Sequence, residues 1–537
     1  MNNIKTSLNL PIVHCSIKEG LSEPFFCTLH VLSQSPLDIL EKDVEVVFFG
    51  RVFYGFVIKV SQLSIEDEQS LFEVILSHVF YKLNHQKNYR IFHKKTTLTI
   101  LQSLYGSFLP AFQKNKIHDY MTQYDETDFN FISRLLECEG IFYTLDGKKL
   151  ILHDNSESFP VIYSYFMAEK GTPKEEMNVI KNMFQTSCHA QTYEGGANYT
   201  CALPQTKLRD KVVSQYPGPF ESFDEMIDYK KQKHEERDWQ KEVFCATSTI
   251  PDFSPGFGFR IKNHPHFHDA YLIQTVEHFL SKDGYENRFV AFLHKKRFRT
   301  PQNTPKPKMH GYHSARVIGP SHDEVHTNHL GEIKVQFPFE DKFSCWVRVM
   351  QPLAGSGFGS VFVPRIGMEV VVMFLDADPN RPIVVGCLYH ALNKPPIDPS
   401  ENPLQVRLET RAKNSISFED KKGEEGLKIL SEQGEIFIES HKSIVLKSHK
   451  DITLNAKETI HLCAQHLTVK TDMFSAQTHV FELDSTDSIT IKSNKNISVI
   501  AMLDTLIQAG NNAIHKGLNT ANHEGEMLTL IKGVPAK

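Results

Sequence analysis

Between Ser443 and Val499 short apolar pairs recur at a nearly constant interval: Ile444/Leu446, Ile452/Leu454, Ile460/Leu462, Leu467/Val469, Phe474/Ala476, Phe481/Leu483, Ile489/Ile491 and Ile497/Val499. Successive pairs start 8, 8, 7, 7, 7, 8 and 8 residues apart. Most enclose one polar residue; Val445 is the exception. An alternation of two turns both apolar side chains of a pair to one face of a short strand. The stretches between pairs, such as His449-Lys450-Asp451 and Asn494-Lys495-Asn496, are polar and suited to turns. One such ribbon cannot cover its own apolar side, and repeats of this kind gain a core only against neighbours. The closed solution wraps several copies around a common axis, with the pairs inward and the sheet edges joined between chains. The repeat therefore predicts a multi-chain β-helical rod.

The 537 residues allow two to four domains, each with its own core. A formal charge of −5 argues against a general binder of nucleic acid or anionic membrane. No apolar run approaches the ~20 residues of a spanning helix. The N-terminus MNNIKTSLNLPIVHCSIKEG lacks the charged and apolar regions of an export signal, so none is expected. Nine scattered cysteines without CxxC spacing fit reduced thiols.

Ahead of the repeats, residues 44–50 and 51–60 read as a hairpin, and Phe72–Leu76 continues the β pattern. Short helices are expected near 97–105 and 127–139, the second stopped by Gly140. Residues 140–153 read as a hairpin with its Asp-Gly turn at 146–147. Residues 155–300 are mostly strand-like, apart from a charged helical piece near 221–241 that reads as a solvated face. Pro301 to Pro307 has the character of a stiff linker and a domain boundary. Five short strands follow, at 332–337, 345–350, 359–363, 369–374 and 383–388, with Gly and Pro at the corners. That density suggests a small closed barrel of the OB type.

The order Gly331-x-x-Lys334-Val-Gln-Phe, Ser344-Cys-Trp346-Val-Arg-Val, Gly355-x-Gly357-x-Gly359, Pro364-Arg365-Ile-Gly367-x-Glu-Val and Asp378-Pro379-Asn-Arg381-Pro382 resembles the VgrG family. These are spike proteins of bacterial type VI secretion systems, related to hub and needle proteins of contractile phage tails. Tyr124-Asp-Glu-Thr-Asp-Phe129 with Ser133-Arg-Leu-Leu-Glu, Glu324-Val-His-Thr327 and Phe418-Glu-Asp-Lys-Lys-Gly-Glu-Glu425 also look like family signatures. The resemblance implies a mainly β protein with a barrel-containing hub at 1–315, the OB-type barrel at 316–392 and a neck or linker at 393–440. A trimeric, triple-stranded β-helical needle (a β-prism) would occupy 441–509, followed by a short tail at 510–537. Family needles often use glycine at their corners; this chain mostly uses Asn, Lys, Asp and Ser. Many relatives continue into a toxin domain beyond the needle, for which the short polar tail leaves no room.

Candidate chemistry is sparse. His264, His266 and His268 would place three imidazoles on one strand face, a weak metal candidate that lacks a clear fourth donor. His322-Asp-Glu-Val-His326 misses the HExxH order and lies among strands, so loop histidines are expected. The Gly355–Gly359 run precedes no helix and reads as a tight corner, not a phosphate loop. Trp346 and Phe337 could offer stacking faces to a strand or glycan but read as core or interface.

The expectation is a non-enzymatic homotrimeric spike without catalytic residues or cofactors. As the family implies, it would cap a hexameric Hcp-type tube and hold a PAAR-type cap near 505–537. It would also meet baseplate components and carry effectors, without binding nucleic acid. Assembly in the bacterial cytoplasm would precede ejection through the apparatus. The nearest competitor is the baseplate spike of a phage-like or extracellular contractile particle. A hydrolase on a phage-tail scaffold and an OB-type glycan or nucleic-acid module stand further off.

Overall fold

The computed structural model describes residues 3–66, 69–112, 116–167, 178–187, 218–220, 222–262, 264–340, 344–432, 434–495 and 498. The chain is mainly β and divides into two units, 1–434 and 435–537.

The first unit opens with six strands: Ile4–Thr6 (β1), Ile12–Gly20 (β2), Glu23–Ser33 (β3), Asp43–Phe48 (β4), Arg51–Glu66 (β5) and Gln69–His78 (β6). Their alternation buries Cys15, Ile17, Leu29, Val31, Val74 and Leu76 on one face. β4 and β5 form the expected hairpin, with Phe48 opposite Arg51. Phe49 and Gly50 turn it with φ of 47° and 85°, the paired left-handed residues of a tight hairpin.

A smaller layer follows: Lys87–Thr96 (β7), Thr97–Leu104 (α1), Phe108–Pro110 (β8), Ile117–Thr127 (β9), Asp128–Glu139 (α2), Phe142–Asp146 (β10) and Lys149–His153 (β11). Thr96 and Thr127 cap the helices, each hydroxyl accepting the N–H three residues on. Gly140, at φ 69°, ends α2. Helix faces and hairpin together bury Phe80, Leu101, Ile132, Leu136, Tyr143 and Leu152.

Then come Val161–Tyr165 (β12), Ile180–Ser187 (β13), Phe223–Gln240 (α3), Glu242–Ser248 (β14), Gly258–Ile261 (β15), Ala270–Ser281 (β16) and Gly284–Leu293 (β17). They build a second core around Phe253, Phe259, Tyr271, Ile273 and Phe289. Pairing of β2 with β16 joins both halves in one twelve-stranded sheet, whose main path runs β1-β4-β5-β6-β3-β2-β16-β17-β14-β13.

The seam between the halves is polar. Arg51 grips Glu19 through two bonds of 2.8 and 2.9 Å and also donates to the Phe253 carbonyl. His278 lies 3.2 Å from the same carboxylate and 2.7 Å from the Tyr285 hydroxyl. Burial alone would raise the Glu19 carboxyl, but the Arg51 charge and the bonds from His278 and Arg51 outweigh it and hold the group at about 2. An unfolded glutamate titrates near 4.5, so this stabilisation is complete above that pH and fades as pH falls toward 2. It is worth on the order of 3 kcal/mol. Melting temperatures followed from pH 5 to pH 2 are expected to fall more steeply in the native protein than in Glu19→Gln. Parallel curves would dissociate the seam from acid stability.

Two connecting segments are bound more closely than their composition suggests. α3 buries Met226, Tyr229 and Trp239, and the Trp239 indole donates to the Arg299 carbonyl at 2.9 Å. Its charges are also used: Glu235 pairs with Arg299 at 2.7 Å and Asp238 with Lys296 at 2.6 Å. The helix is therefore docked along one side by charge pairs and three large side chains, not merely solvated. The 301–307 segment is likewise a strap. Thr304 donates to Glu137, Asn130 donates to the Pro305 carbonyl at 3.2 Å, and Tyr229 donates to Gln302 at 2.9 Å.

A closed barrel follows the strap, in the order His313–Ile318 (β18), Ile333–Gln336 (β19), Trp346–Val349 (β20), Pro382–Leu388 (β24) and Glu369–Phe374 (β23). Ala354–Gly355 (β21) and Phe358–Gly359 (β22) form a separate small hairpin outside it. The strand expected at 359–363 is thus not a barrel strand. β18 takes that place, because Ala315 and Val317 alternate inward while Val361 and Phe362 stay exposed. Gly359 is required at the hairpin: its φ is 140°, and a Cβ there would lie 2.4 Å from the Leu353 carbonyl oxygen.

Gln405–Glu409 (β25), Ser415–Glu419 (β26) and Gly426–Leu430 (β27) make a three-stranded sheet. Register sets Val406 opposite Phe418, Leu408 opposite Ile416, and Ile416 and Phe418 opposite Ile429 and Leu427. These six share one apolar face, and all are exposed in the single chain.

In the second unit every described residue is exposed, and none belongs to a hydrogen-bonded strand. Extended runs alternate with bends at 441–442, 449–450, 457–458, 465, 472, 479, 486–487 and 494–495. Ser440, Ser448, Thr471, Thr478 and Ser493 each accept the N–H two residues on. Hydroxyl turns thus shape corners where glycine would otherwise serve.

Candidate functional site at the hub–barrel junction

Two stretches with family-like sequence, one in the hub and one in the barrel, meet in space. β9 ends in the Tyr124–Phe129 motif that enters α2, and Asp378–Pro382 turns into β24. The Thr122 backbone N–H donates to Asn380 Oδ1 at 2.8 Å, and its hydroxyl donates to the Pro379 carbonyl at 3.2 Å. Asn380 is positioned by Asp378, which accepts its N–H at 2.9 Å and binds Lys306 from the strap at 2.7 Å. Arg381 pairs with Asp376 at 3.1 Å.

Beneath this contact lies a buried ion pair. Arg134 of α2 donates through Nε and Nη2 to the Glu126 carboxylate at 2.6–3.0 Å and through Nη2 to the Thr122 carbonyl at 2.8 Å. Both side chains are under one-tenth exposed. Asp128 accepts from Asn88, Arg90 and Gln123, tying the start of α2 back to β7 and β9. Apolar contact completes the joint: Ile91 of β7 enters the barrel core beside Met309, Val317 and Val335, and Tyr124 packs on Phe339. Hub and barrel are therefore coupled through backbone, charge and core at once.

Asn380→Ala would leave the buried Thr122 N–H without its acceptor, costing about 1–3 kcal/mol. Hydrogen exchange at the Thr122 amide is expected to accelerate while amides of the Glu19 seam keep their protection. Unchanged exchange at Thr122 would mean that the bond does not restrain the joint.

The other motif residues distribute around the barrel. Arg365 pairs with Glu324 at 2.6 Å, and the Gly367 and Ile366 N–H groups donate to Val317 and Glu324, so the Glu324 and Pro364–Gly367 motifs adjoin. Arg411, between β25 and β26, also pairs with Glu324. Trp346 is half-buried, with the Lys334 ammonium 4.9 Å above its ring and His326 at 5.0 Å. Gly355, Gly357 and Gly359 belong to the outer hairpin. His322 lies in a loop.

His264, His266 and His268 occupy a loop after β15 and not a strand: the β15–β16 ladder ends at Arg260 and Ala270, and Pro265 has no N–H to extend it. His264 Nδ1 accepts the N–H groups of His266 and Phe267, and His268 Nε2 lies 2.8 Å from the Pro265 carbonyl. Among the described residues, no three His, Cys, Asp or Glu side chains already converge as a metal set. No described helix is long and apolar enough to cross a membrane.

Of the apolar pairs, Ile444, Leu446, Ile452, Leu454, Ile460, Leu462, Leu467, Val469, Ile489 and Ile491 range from 50% exposed at Ile460 to 69% at Ile491. Ile497 and Val499 lie outside the described residues. Sequence reasoning missed Thr122 and the Glu19–Arg51–His278 seam, and had Asn380 only as part of the Asp378–Pro382 motif. The only available signal was a charged or polar residue inside an otherwise alternating strand, as at Glu19.

Comparison with known proteins agrees with this order of parts. Residues 18–284 match the phage tail baseplate hub (GPD) family, and residues 321–389 match the type VI secretion system/phage-baseplate injector OB domain. The type VI secretion system spike protein VgrG4b of Pseudomonas aeruginosa is 26% identical over 79% of this chain and 61% of its own length. VgrG1a of the same organism is 26% identical over 78% of this chain and 74% of its own. The chain thus spans less than two thirds of the first of these relatives. Among solved structures, the E. coli c3393 protein, a type VI secretion component with structural similarity to T4 tail proteins gp27 and gp5, shares the fold. Its TM-score is 0.53 at 19% identity, over 72% of this chain and 99% of that one. Hub and injector OB matches in sequence, with 26% identity over more than three quarters of the chain, make this chain similar to the VgrG spike proteins of type VI secretion systems.

Proposed function

We propose that three copies of this chain form the spike at the tip of a type VI secretion apparatus, acting mechanically and without catalysis. The observation that carries this reading is the exposure of every described apolar pair beyond residue 440 in the single chain. Ten or more large apolar side chains left in water at regular spacing are tolerated only if other chains cover them. The open apolar face of the β25–β27 sheet makes the same demand.

In the assembled spike the hub faces a hexameric Hcp-type tube, its two sheet halves per chain giving six quasi-equivalent positions. The barrel and its junction transmit thrust from hub to needle. A braided needle loses many hydrogen bonds at once if it buckles, each worth ~1 kcal/mol net, so its kinetic resistance is high. Eight to eleven repeats at ~4.8 Å give a length of roughly 40–55 Å. A rod that short suits a sharpening PAAR-type cap near 505–537, outside the described residues, and effectors travel with it. The protein would assemble in the cytoplasm and leave through the contractile apparatus.

Native mass spectrometry tests the assembly: the expected particle has three times the 61.5 kDa of one chain. Deleting residues 510–537 is expected to preserve that particle and abolish cap binding. A compact monomer at micromolar concentration would overturn the spike reading, and cap binding by the truncated trimer would displace only the cap site.

A further inference from the structure

From Gln351 to Pro364 the chain carries no charged residue, and the small hairpin of β21 and β22 within this stretch stands outside the barrel. The hairpin is built stiffly. Gln351 Nε2 donates to the Phe362 carbonyl at 3.0 Å while its Oε1 accepts the Phe362 N–H at 2.9 Å. The Ser360 N–H donates to the Leu353 carbonyl at 2.9 Å. The Phe358 ring lies across Gly355, where a Cβ would meet it at 2.3 Å. That ring is nevertheless 67% exposed, and Leu353, Val361 and Phe362 are exposed with it. A fixed aromatic held in water among uncharged neighbours has the make-up of an interface anchor. Its position is set beforehand, so docking it costs little side-chain entropy.

The barrel also carries a groove suited to it. The groove measures about 960 Å³ and follows β18 and the start of β23, with Phe337, Pro338, Ile366 and Met368 among its walls and Arg316 beside them. Among the described residues the Arg316 side chain makes no ion pair, so its guanidinium is available to an aromatic face. In the closed order β18-β19-β20-β24-β23, β20 is the strand that neighbours neither β18 nor β23, and the hairpin leaves from its end. Hairpin and groove therefore lie on opposed sides of the barrel, and the hairpin does not fill its own chain's groove. A contact between two different patches is heterologous and closes into a ring when repeated about an axis. The groove is also continuous with the sheet face that the proposed spike covers with other chains. Arg411, in the turn between β25 and β26, lines the groove and pairs there with Glu324.

We propose that Phe358 of one chain seats in the β18–β23 groove of a second copy, its ring against Met368 and Arg316, so that three barrels close into a ring. The inference rests on the three-chain reading above and adds to it a site that is incomplete in one chain, with the groove from one copy and the anchor from the next. It also accounts for an uncharged, glycine-built hairpin that contributes no strand to its own barrel.

Photo-cross-linking of the full-length protein with p-benzoylphenylalanine in place of Phe358 tests the contact. Irradiation is expected to give chain-to-chain adducts on a denaturing gel, with position 358 joined to peptides that hold Arg316 or Ile366–Met368. Adducts confined to one chain, adducts to other peptides, or none at all, in particles that native mass shows to hold three chains, would overturn the seat and leave the spike reading standing. Particles of one chain would overturn both. Phe358→Ala provides a second reading without the bulky probe. It is expected to keep three chains through the needle while hydrogen peroxide oxidises Met368 at least about threefold faster than in the native particle. An equal rate in the two proteins would likewise overturn the seat.

Discussion

Ile452→Asp is expected to abolish trimers, leaving a particle of single-chain mass where the native protein shows three chains. The residue starts the second apolar pair and is 55% exposed in the isolated chain. In the proposed rod the same position on each chain turns toward the common axis, so one substitution introduces three carboxylates around it. None finds a counter-ion there, and the penalty after relaxation is several kcal/mol per ion. An alanine would remove only packing and is a weaker test. Lys450→Asp, two residues away in a bend, changes charge more without entering the axis and should leave the mass unaltered. Sedimentation of the three proteins at equal concentration decides the matter. Trimers in Ile452→Asp would mean that the pairs do not face inward.

The second large effect is expected at Arg134. Converting it to Met leaves the Glu126 carboxylate buried and unpaired, and the Thr122 carbonyl loses a donor. Breaking one side of a buried pair costs about 3–5 kcal/mol, whereas replacing both partners by apolar groups of similar size is often near neutral. Arg134→Met should therefore lower the midpoint of chemical unfolding strongly, and the double change Arg134→Met with Glu126→Leu should recover most of the loss. Because α2 and β9 carry the barrel contact, the single variant is also expected to expose the 301–307 strap to protease. A double variant as unstable as the single one would show that the pair itself stabilises the joint beyond charge compensation.

What the sequence made legible was local or periodic. The octad interval needs only a count of apolar positions, and the bends fall at the same interval. α1 and α2 were legible because threonine caps and a glycine stop lie within a few residues of the helical pattern. The 44–60 hairpin was readable for the same reason. The pairing of β2 with β16 was not, since strands some 260 residues apart carry no mark of each other; only tertiary packing selects them. Assigning the fifth barrel strand failed because β18 follows a proline-rich stretch that looked like a boundary. The stretch just after the outer hairpin instead offered Val361 and Phe362, apolar residues that belong to no strand. Within the candidate site, the motif residues were recognisable, but Thr122 was not: an ordinary threonine in a strand becomes important only when Asn380 arrives opposite its N–H.

The contrast between β25–β27, already hydrogen-bonded in one chain, and the merely bent ribbon after them implies an order of events for the proposed spike. The preformed sheets would meet first. From then on the three ribbons are tethered at millimolar effective concentration, and their braiding becomes a unimolecular step. Closure would run like a zip from residue 435 outward, so flaws near its start should be far more damaging than equal flaws close to the tip.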